Sequence, residues 1–252
     1  MSFNPFSLQG KVAVITGGST GLGKGMALGL AEAGADIVLV DHRPHEEAKS
    51  EIENLGRRCK QIVADLTNET EILQVIPTVV EQMGKVDILV NNAGTTRRSP
   101  VVEFTLQDWD AVLSLNLRTV FMLSQAAARD MLLRGYGKII NIASLLSYSG
   151  GILVPAYAAS KGGVAQLTKA FTNELAGKGI NCNAIAPGYM ATKITEQIQN
   201  DPDRNKSILE RIPAERWGSP DDLKGTVVFL ASRASDYVNG QIIAVDGGWM
   251  AR

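Results

Sequence analysis

Short apolar runs rich in β-branched residues recur along the chain, each separated from the next by a longer segment whose apolar positions return every three or four residues. The runs are Val12–Ile15, Asp36–Val40, Gln61–Ala64, Val86–Val90, Lys138–Ile142, Ile180–Ile185 and Gln241–Val245. Such near-continuous apolar character predicts strands buried on both faces. The intervening segments Gly21–Gly34, Ile72–Met83, Thr105–Arg134, Tyr157–Gly177 and Pro220–Ser232 predict helices. Alternation of the two predicts a single-domain, Rossmann-type α/β fold over residues 1–252, a doubly wound parallel sheet of about seven strands with helices on both faces. Residues 188–220 break the pattern with a polar stretch that includes Gln197, Asn200, Asp201, Asp203, Arg204 and Asn205. A long irregular segment in a compact domain is usually functional or disordered. Its place after a strand end predicts a substrate lid, with a plain surface loop as the alternative.

The first predicted strand runs into Thr16-Gly17-Gly18-Ser19-Thr20-Gly21-Leu22-Gly23. Glycines between a strand and a helix permit a tight turn and close backbone approach, so that N–H groups at the helix start can meet a pyrophosphate. An ordinary βα turn would read the same way on this run alone. The second strand ends at Asp41, whose carboxylate can accept hydrogen bonds from adenosine ribose hydroxyls and would repel a 2′-phosphate, which favours NAD. Arg43 pulls the other way, because a guanidinium pairs well with phosphate and so admits NADP. His42 and His45 share this turn without a third ligand, so no metal site is expected. Asp65-Leu66 could meet the adenine, or Asp65 could cap a helix. Asn91-Asn92-Ala93-Gly94 closes the fourth strand with residues small enough for a dinucleotide to pass.

Composition narrows the partners. A formal net charge of −1 offers no field for nucleic acid and no basic membrane-surface patch. No uninterrupted apolar run reaches the length of a membrane span. Residues Met1–Gly10 lack the basic and apolar regions of a signal peptide. Cys59 and Cys182 read as free thiols in a reducing compartment, and the cytoplasm is the expected location.

Tyr157 and Lys161 lie one helical turn apart and project from one face. A phenol of pKa about 10 is a poor base near neutrality, and an ammonium nearby favours its anion. Together with the dinucleotide turn, the pair points to proton exchange with an alcohol or carbonyl. With Asp65, Asn91 to Gly94, Asn116, Ser144 and Pro187-Gly188 leading to Thr192, the ordered set resembles the short-chain dehydrogenase/reductase family over essentially the whole chain. That resemblance implies a catalytic tetrad of Asn116, Ser144, Tyr157 and Lys161. Ser144 would polarise the substrate oxygen and Tyr157 would pass the proton. Lys161 would hold the nicotinamide ribose, and Asn116 would position a relay water. Gly17, Ser19 to Gly23, Asp41, Asp65, Leu66, Asn92, Ala93, Gly94, Tyr157, Lys161, Pro187, Gly188 and Thr192 would hold the cofactor. A homotetramer is also implied, with long helices between Thr105 and Gly177 as interfaces. Taken singly, Ser144 could be a cap, Asn116 a buried amide at a helix distortion, and Tyr157 with Lys161 a surface pair.

Further segments, Met1–Leu8, Gly188–Thr192, Arg211–Gly218 and Asp246–Arg252, resemble members of the family that act on deoxy sugar acids such as 2-deoxy-D-gluconate and 2-keto-3-deoxy-D-gluconate. A guanidinium matches a carboxylate in bidentate fashion. Arg97 and Arg98 follow the Asn91–Gly94 turn, and Arg211 and Arg216 lie in the expected lid; one or more would bind the substrate carboxylate, and solvated surface arginines are the alternative. Tyr148, Tyr189 and Trp217 could pack on the sugar carbons. Rival readings are a family member acting on another carbonyl, a 5-keto gluconate or a 3-ketoacyl thioester, and a non-catalytic dinucleotide sensor. The retention of Ser144, Tyr157 and Lys161 weighs against the sensor.

Overall fold

A computed structural model describes residues 4–193 and 195–252. Met1 to Phe3, at the start of the N-terminal likeness, and Ile194, inside the 188–220 stretch, lie outside the described residues. The strands are β1 Val12–Thr16, β2 Asp36–Asp41, β3 Cys59–Val63, β4 Ile88–Asn91, β5 Gly137–Ile142, β6 Ile180–Pro187 and β7 Ile242–Val245. They form one sheet in the order β3-β2-β1-β4-β5-β6-β7, with every pairing parallel. The helices are α1 Gly21–Glu32, α2 Glu46–Asn54, α3 Glu69–Met83, α4 Leu106–Leu113, α5 Thr119–Arg134, α6 Pro155–Leu175, α7 Glu196–Gln199, α8 Pro202–Leu209 and α9 Lys224–Ala231. β1 pairs with β4, and there the strand order reverses. The loops leaving the carboxyl ends of these two strands diverge and open a crevice.

Successive strand residues feed opposite cores. Ala13, Ile15, Ile37, Leu39, Ile88 and Val90 pack with α1 and α9 on one face. Val12, Val14, Val38, Val40 and Leu89 pack with α3 and α5 on the other. Each fully buried Val, Leu or Ile side chain among them contributes roughly 1.5–3 kcal/mol. Burial on both faces is the reason the strands read as unbroken apolar runs.

The helices depart from expectation in three places. α2 follows the His42–His45 turn, where no helix was expected: its sequence is polar and only Ala48 and Ile52 are buried, so the periodic signal is faint. The segment Thr105–Arg134 is helical but interrupted by a π-helical turn at Ser114–Arg118. The 188–220 stretch holds two short helices, of which α8 starts at Pro202 and is capped by Asp201 accepting from the N–H groups of Asp203 and Arg204. By length and composition Leu106–Arg134 would suit a membrane span, yet within it Val112, Val120, Leu123, Ala127 and Met131 are buried in the fold. Cys59 and Cys182 are buried free thiols, each with its pKa pushed up to about 12 by burial.

Candidate active site

The crevice is floored by the glycine turn between β1 and α1. Gly17 sits at φ +61, a left-handed conformation that favours glycine, and a Cβ at Gly23 would run into the Gly17 carbonyl oxygen. Thr20 precedes α1 without a side-chain hydrogen bond to it, and the first turn carries no acidic residue. The N–H groups there remain available to an anion. Asn92 braces the turn from the end of β4: its Nδ2 donates to the Thr16 and Gly17 carbonyls at 2.9 and 3.0 Å. The Thr16 hydroxyl accepts from the N–H groups of Asn92 and Ala93, both at 3.0 Å. This open, donor-rich cradle fits a pyrophosphate.

Beside it lies a cavity of about 420 Å³ lined by Ser19, Thr20, Lys24, His45, Glu46 and Glu47, among others. Ser19 donates to the Asp41 carboxylate at 2.6 Å, which fixes that carboxylate at the end of β2. Lys24 is already paired with Glu51 at 2.7 Å and Glu47 at 3.4 Å, while Arg43 is exposed. Asp65 is not a helix cap. Its carboxylate accepts from the Thr67 N–H and hydroxyl, bonds that lower its pKa, whereas Asn68 caps α3. Leu66 is buried in the core on the α3 and α5 side of the sheet.

Ser144 lies just beyond the end of β5 and opens the short turn Leu145–Ser147, its hydroxyl accepting from the Leu146 N–H at 3.2 Å. Tyr157 and Lys161 stand on α6. Desolvation raises the pKa of the Tyr157 phenol, and a hydrogen bond with Ser144 opposes that rise. Burial lowers Lys161 to about 8. Its Nζ lies 5.7 Å from the centre of the Tyr157 ring and donates to the Ile142 carbonyl at 2.5 Å. Desolvation therefore outweighs the expected push toward phenolate. Asn116 is fully buried within the π-helical turn. Its amide donates to the Thr95 carbonyl at 2.9 Å and the Ser160 hydroxyl at 3.1 Å, and accepts from the Thr95 N–H at 2.8 Å. Ser160 in turn donates to the Tyr157 carbonyl at 2.8 Å.

After β6 the chain crosses back over the crevice. Pro187 ends the strand, Gly188 packs closely on Asp246, and Thr192 comes within 3.9 Å of the position a Cβ on Gly21 would take. Leu145 packs with Ile208, Ile212 and Trp249, and Tyr189 and Trp217 pack against this group. The Tyr189 ring lies 4.6 Å from Trp249 and 5.5 Å from Trp217. The segment after β6 is thereby joined to the turn beside Ser144. Among the four arginines, Arg216 is held by both Asp222 oxygens at 2.8 and 2.7 Å, an arrangement that also keeps the Asp222 carboxyl well below its usual range. Arg97 is paired with Asp108 at 3.4 Å. Arg211 stacks on Trp249 at 4.1 Å, and Arg98 is exposed. Tyr148 donates its hydroxyl to the Ile242 carbonyl at 2.9 Å, which ties it to β7. Among the described residues, no group of three His, Cys, Asp or Glu side chains could hold a metal ion.

Ser19, Thr16, Ser147 and Ser160 hold this architecture together; Thr16 and Ser19 fell within the glycine turn and Ser160 between Tyr157 and Lys161, but none was singled out for this role. Isolated hydroxyl residues carry no periodic or spacing signal.

A family model described as enoyl-(acyl carrier protein) reductase matches residues 17–250. The 2-dehydro-3-deoxy-D-gluconate 5-dehydrogenase of Dickeya dadantii (strain 3937) is 55% identical over 253 aligned positions, covering 100% of both chains. A solved structure from Agrobacterium tumefaciens with bound NADP is 50% identical, with a TM-score of 0.94 and coverage of 99% of this chain and 100% of that one. The gluconate 5-dehydrogenase of Burkholderia cenocepacia J2315, solved with NADP and tartrate, is 41% identical, with a TM-score of 0.94 and 98% of each chain covered.

Proposed function

The chain belongs to the short-chain dehydrogenase/reductase family, and on that premise we propose that it interconverts a secondary alcohol and a ketone on a deoxy sugar acid of the 2-deoxy-D-gluconate or 2-keto-3-deoxy-D-gluconate type, with NAD. It is an oxidoreductase acting on a CH–OH group. The substrate reading rests on the end-to-end identity with the Dickeya enzyme.

When bound, the nicotinamide supplies the hydride acceptor or donor. The glycine turn and the start of α1 bind the pyrophosphate, and Asp41, held by Ser19, takes the ribose hydroxyls. Ser144 hydrogen-bonds the substrate oxygen, and Tyr157 holds and transfers the proton at its phenol oxygen. Ser144 and the Lys161 charge both favour the phenolate against desolvation. Both Asn116 amide hydrogens are engaged, so it meets a relay water through an oxygen, not through its NH₂ group. Of the four arginines, Arg98 and Arg211 are left to bind the substrate carboxylate, because Arg97 and Arg216 already have acidic partners. Residues 188–220 cover the site as a lid, and exposed Phe121, Leu132 and Leu133 on α5 suit the contacts of a homotetramer.

NADP is the second reading, favoured by the dinucleotide in both solved relatives. What supports NAD is the negative charge of Asp41, bonded to Ser19, and of Glu46 and Glu47, which line the same cavity as Ser19 and would repel a 2′-phosphate. Initial rates of NADH and NADPH formation on 2-deoxy-D-gluconate, 2-keto-3-deoxy-D-gluconate and D-gluconate test both points. Preference for the deoxy acids with NAD supports the reading. Preference for D-gluconate, or for an acyl thioester in the reductive direction, overturns the substrate. Asp41→Ala should raise NADP use relative to NAD by about tenfold, the equivalent of one charge contact of roughly 1.4 kcal/mol.

A further inference from the structure

Ser147 closes the turn that begins at Ser144, and none of the roles above uses it. Its hydroxyl donates to the main-chain carbonyl of Lys161 at 2.7 Å and accepts from the main-chain N–H of Ser144 at 3.3 Å. One oxygen thus touches the backbones of two residues whose side chains flank the Tyr157 phenol: the Ser144 hydroxyl lies close enough to lower its pKa, and the Lys161 ammonium lies 5.7 Å from the centre of its ring. We propose that Ser147 is a positioning residue that sets the separation between Ser144 and the Tyr157–Lys161 face of α6. The proposal rests on the roles assigned to Ser144, Tyr157 and Lys161.

The bond to α6 is not needed to satisfy the helix. Within an α-helix the Lys161 carbonyl already faces the amide four residues on. The Leu145–Ser147 turn likewise keeps its own closure, through Leu146 donating to the Ser144 hydroxyl and Ser147 N–H donating to the Ser144 carbonyl at 2.9 Å. What Ser147 adds is the tie from turn to helix. A serine hydroxyl that must meet a substrate oxygen within hydrogen-bond distance depends on such a tie, because displacement by about 1 Å can reduce turnover on the order of a hundredfold.

Ser147→Ala, Ser147→Gly and Ser147→Thr would be compared with wild type on an alcohol that the wild type oxidises, with NADH affinity measured separately by fluorescence. The expected result for Ser147→Ala is a fall in kcat of about tenfold with NADH affinity within about twofold. The alkaline rise of kcat/KM for oxidation should move to higher pH, because a looser Ser144 lowers the Tyr157 pKa less. Ser147→Thr, which keeps the hydroxyl, should retain most of the activity, and Ser147→Gly serves if the alanine chain does not fold. In a Ser144→Ala background, Ser147→Ala should change the residual rate by less than about twofold, since the two act as a unit. Wild-type kcat and pH profile in Ser147→Ala, or an undiminished loss in the Ser144→Ala background, would overturn the assignment. Failure of the wild type on deoxy sugar acids would overturn the substrate reading alone, because the comparison can be run on any alcohol it oxidises.

Discussion

Raising the pH of the cofactor-free protein from about 7 to 10 should stabilise the wild type relative to a Lys161→Met variant. Lys161 is buried, and desolvation lowers its pKa from 10.5 to about 8. The unfolded chain therefore binds the proton more tightly than the folded one, and the folded state carries a penalty wherever the unfolded lysine is charged. That lowering corresponds to about 3 kcal/mol, present in full below about pH 8 and relieved as pH rises from 8 toward 10.5. By pH 10 about 1 kcal/mol remains, so the wild type gains about 2 kcal/mol or more on the variant across the window. Comparing the two chains at each pH removes the titrations they share, while the Ile142 carbonyl that loses its partner in the variant adds an offset independent of pH. Urea unfolding of both chains at half-unit steps from pH 7 to 10, without dinucleotide, reads the difference directly. A stability gap that stays constant within about 0.5 kcal/mol would refute a desolvated ammonium at this position. A confirmed slope would mean that the fold holds an unfavourable charge at Lys161, the residue proposed to meet the ribose and favour the phenolate.

Tyr157→Phe should lower turnover by at least about a hundredfold while NADH affinity, read by fluorescence titration, stays within about twofold, because only the proton-transfer oxygen is removed. Gly23→Ala should weaken NADH binding by about tenfold or more and lower the melting temperature, since its methyl group meets the Gly17 carbonyl and forces the cradle open. Arg211→Ala should raise KM for sugar acids by about tenfold with little change in kcat on a neutral alcohol, the pattern of a lost charge-assisted contact to a carboxylate. Equal losses on charged and neutral substrates would instead assign Arg211 to the packing of Trp249.

Much of the architecture was legible along the chain. Strands buried on both faces must be apolar at consecutive positions, so β1, β2, β4 and β6 were visible as runs, and their alternation with helices dictated a parallel sheet. The glycine turn was legible for a similar reason: the backbone there needs a conformation and clearance that few residues other than glycine supply, as Gly17 and Gly23 show. Tyr157 and Lys161 declared themselves through helical spacing and order along the chain. Local pattern could not decide what depends on partners distant in sequence. α2 is stabilised by only two buried side chains, and the π-helical turn at Ser114–Arg118 is marked by no periodic signal. Asp65 lost the capping role to Asn68, a choice made by turn geometry. Arg97 and Arg216 were indistinguishable from Arg98 and Arg211 until the fold brought Asp108 and Asp222 beside the first pair. The Ser147 link joins residues 14 apart, and the Asn92 brace spans 76. A side chain's type limits what it can bond, but which partner it meets, and how much water is removed around it, follows from the packing of the whole chain. That is why Lys161 reads as an ordinary cation in sequence and becomes a strained one only after folding.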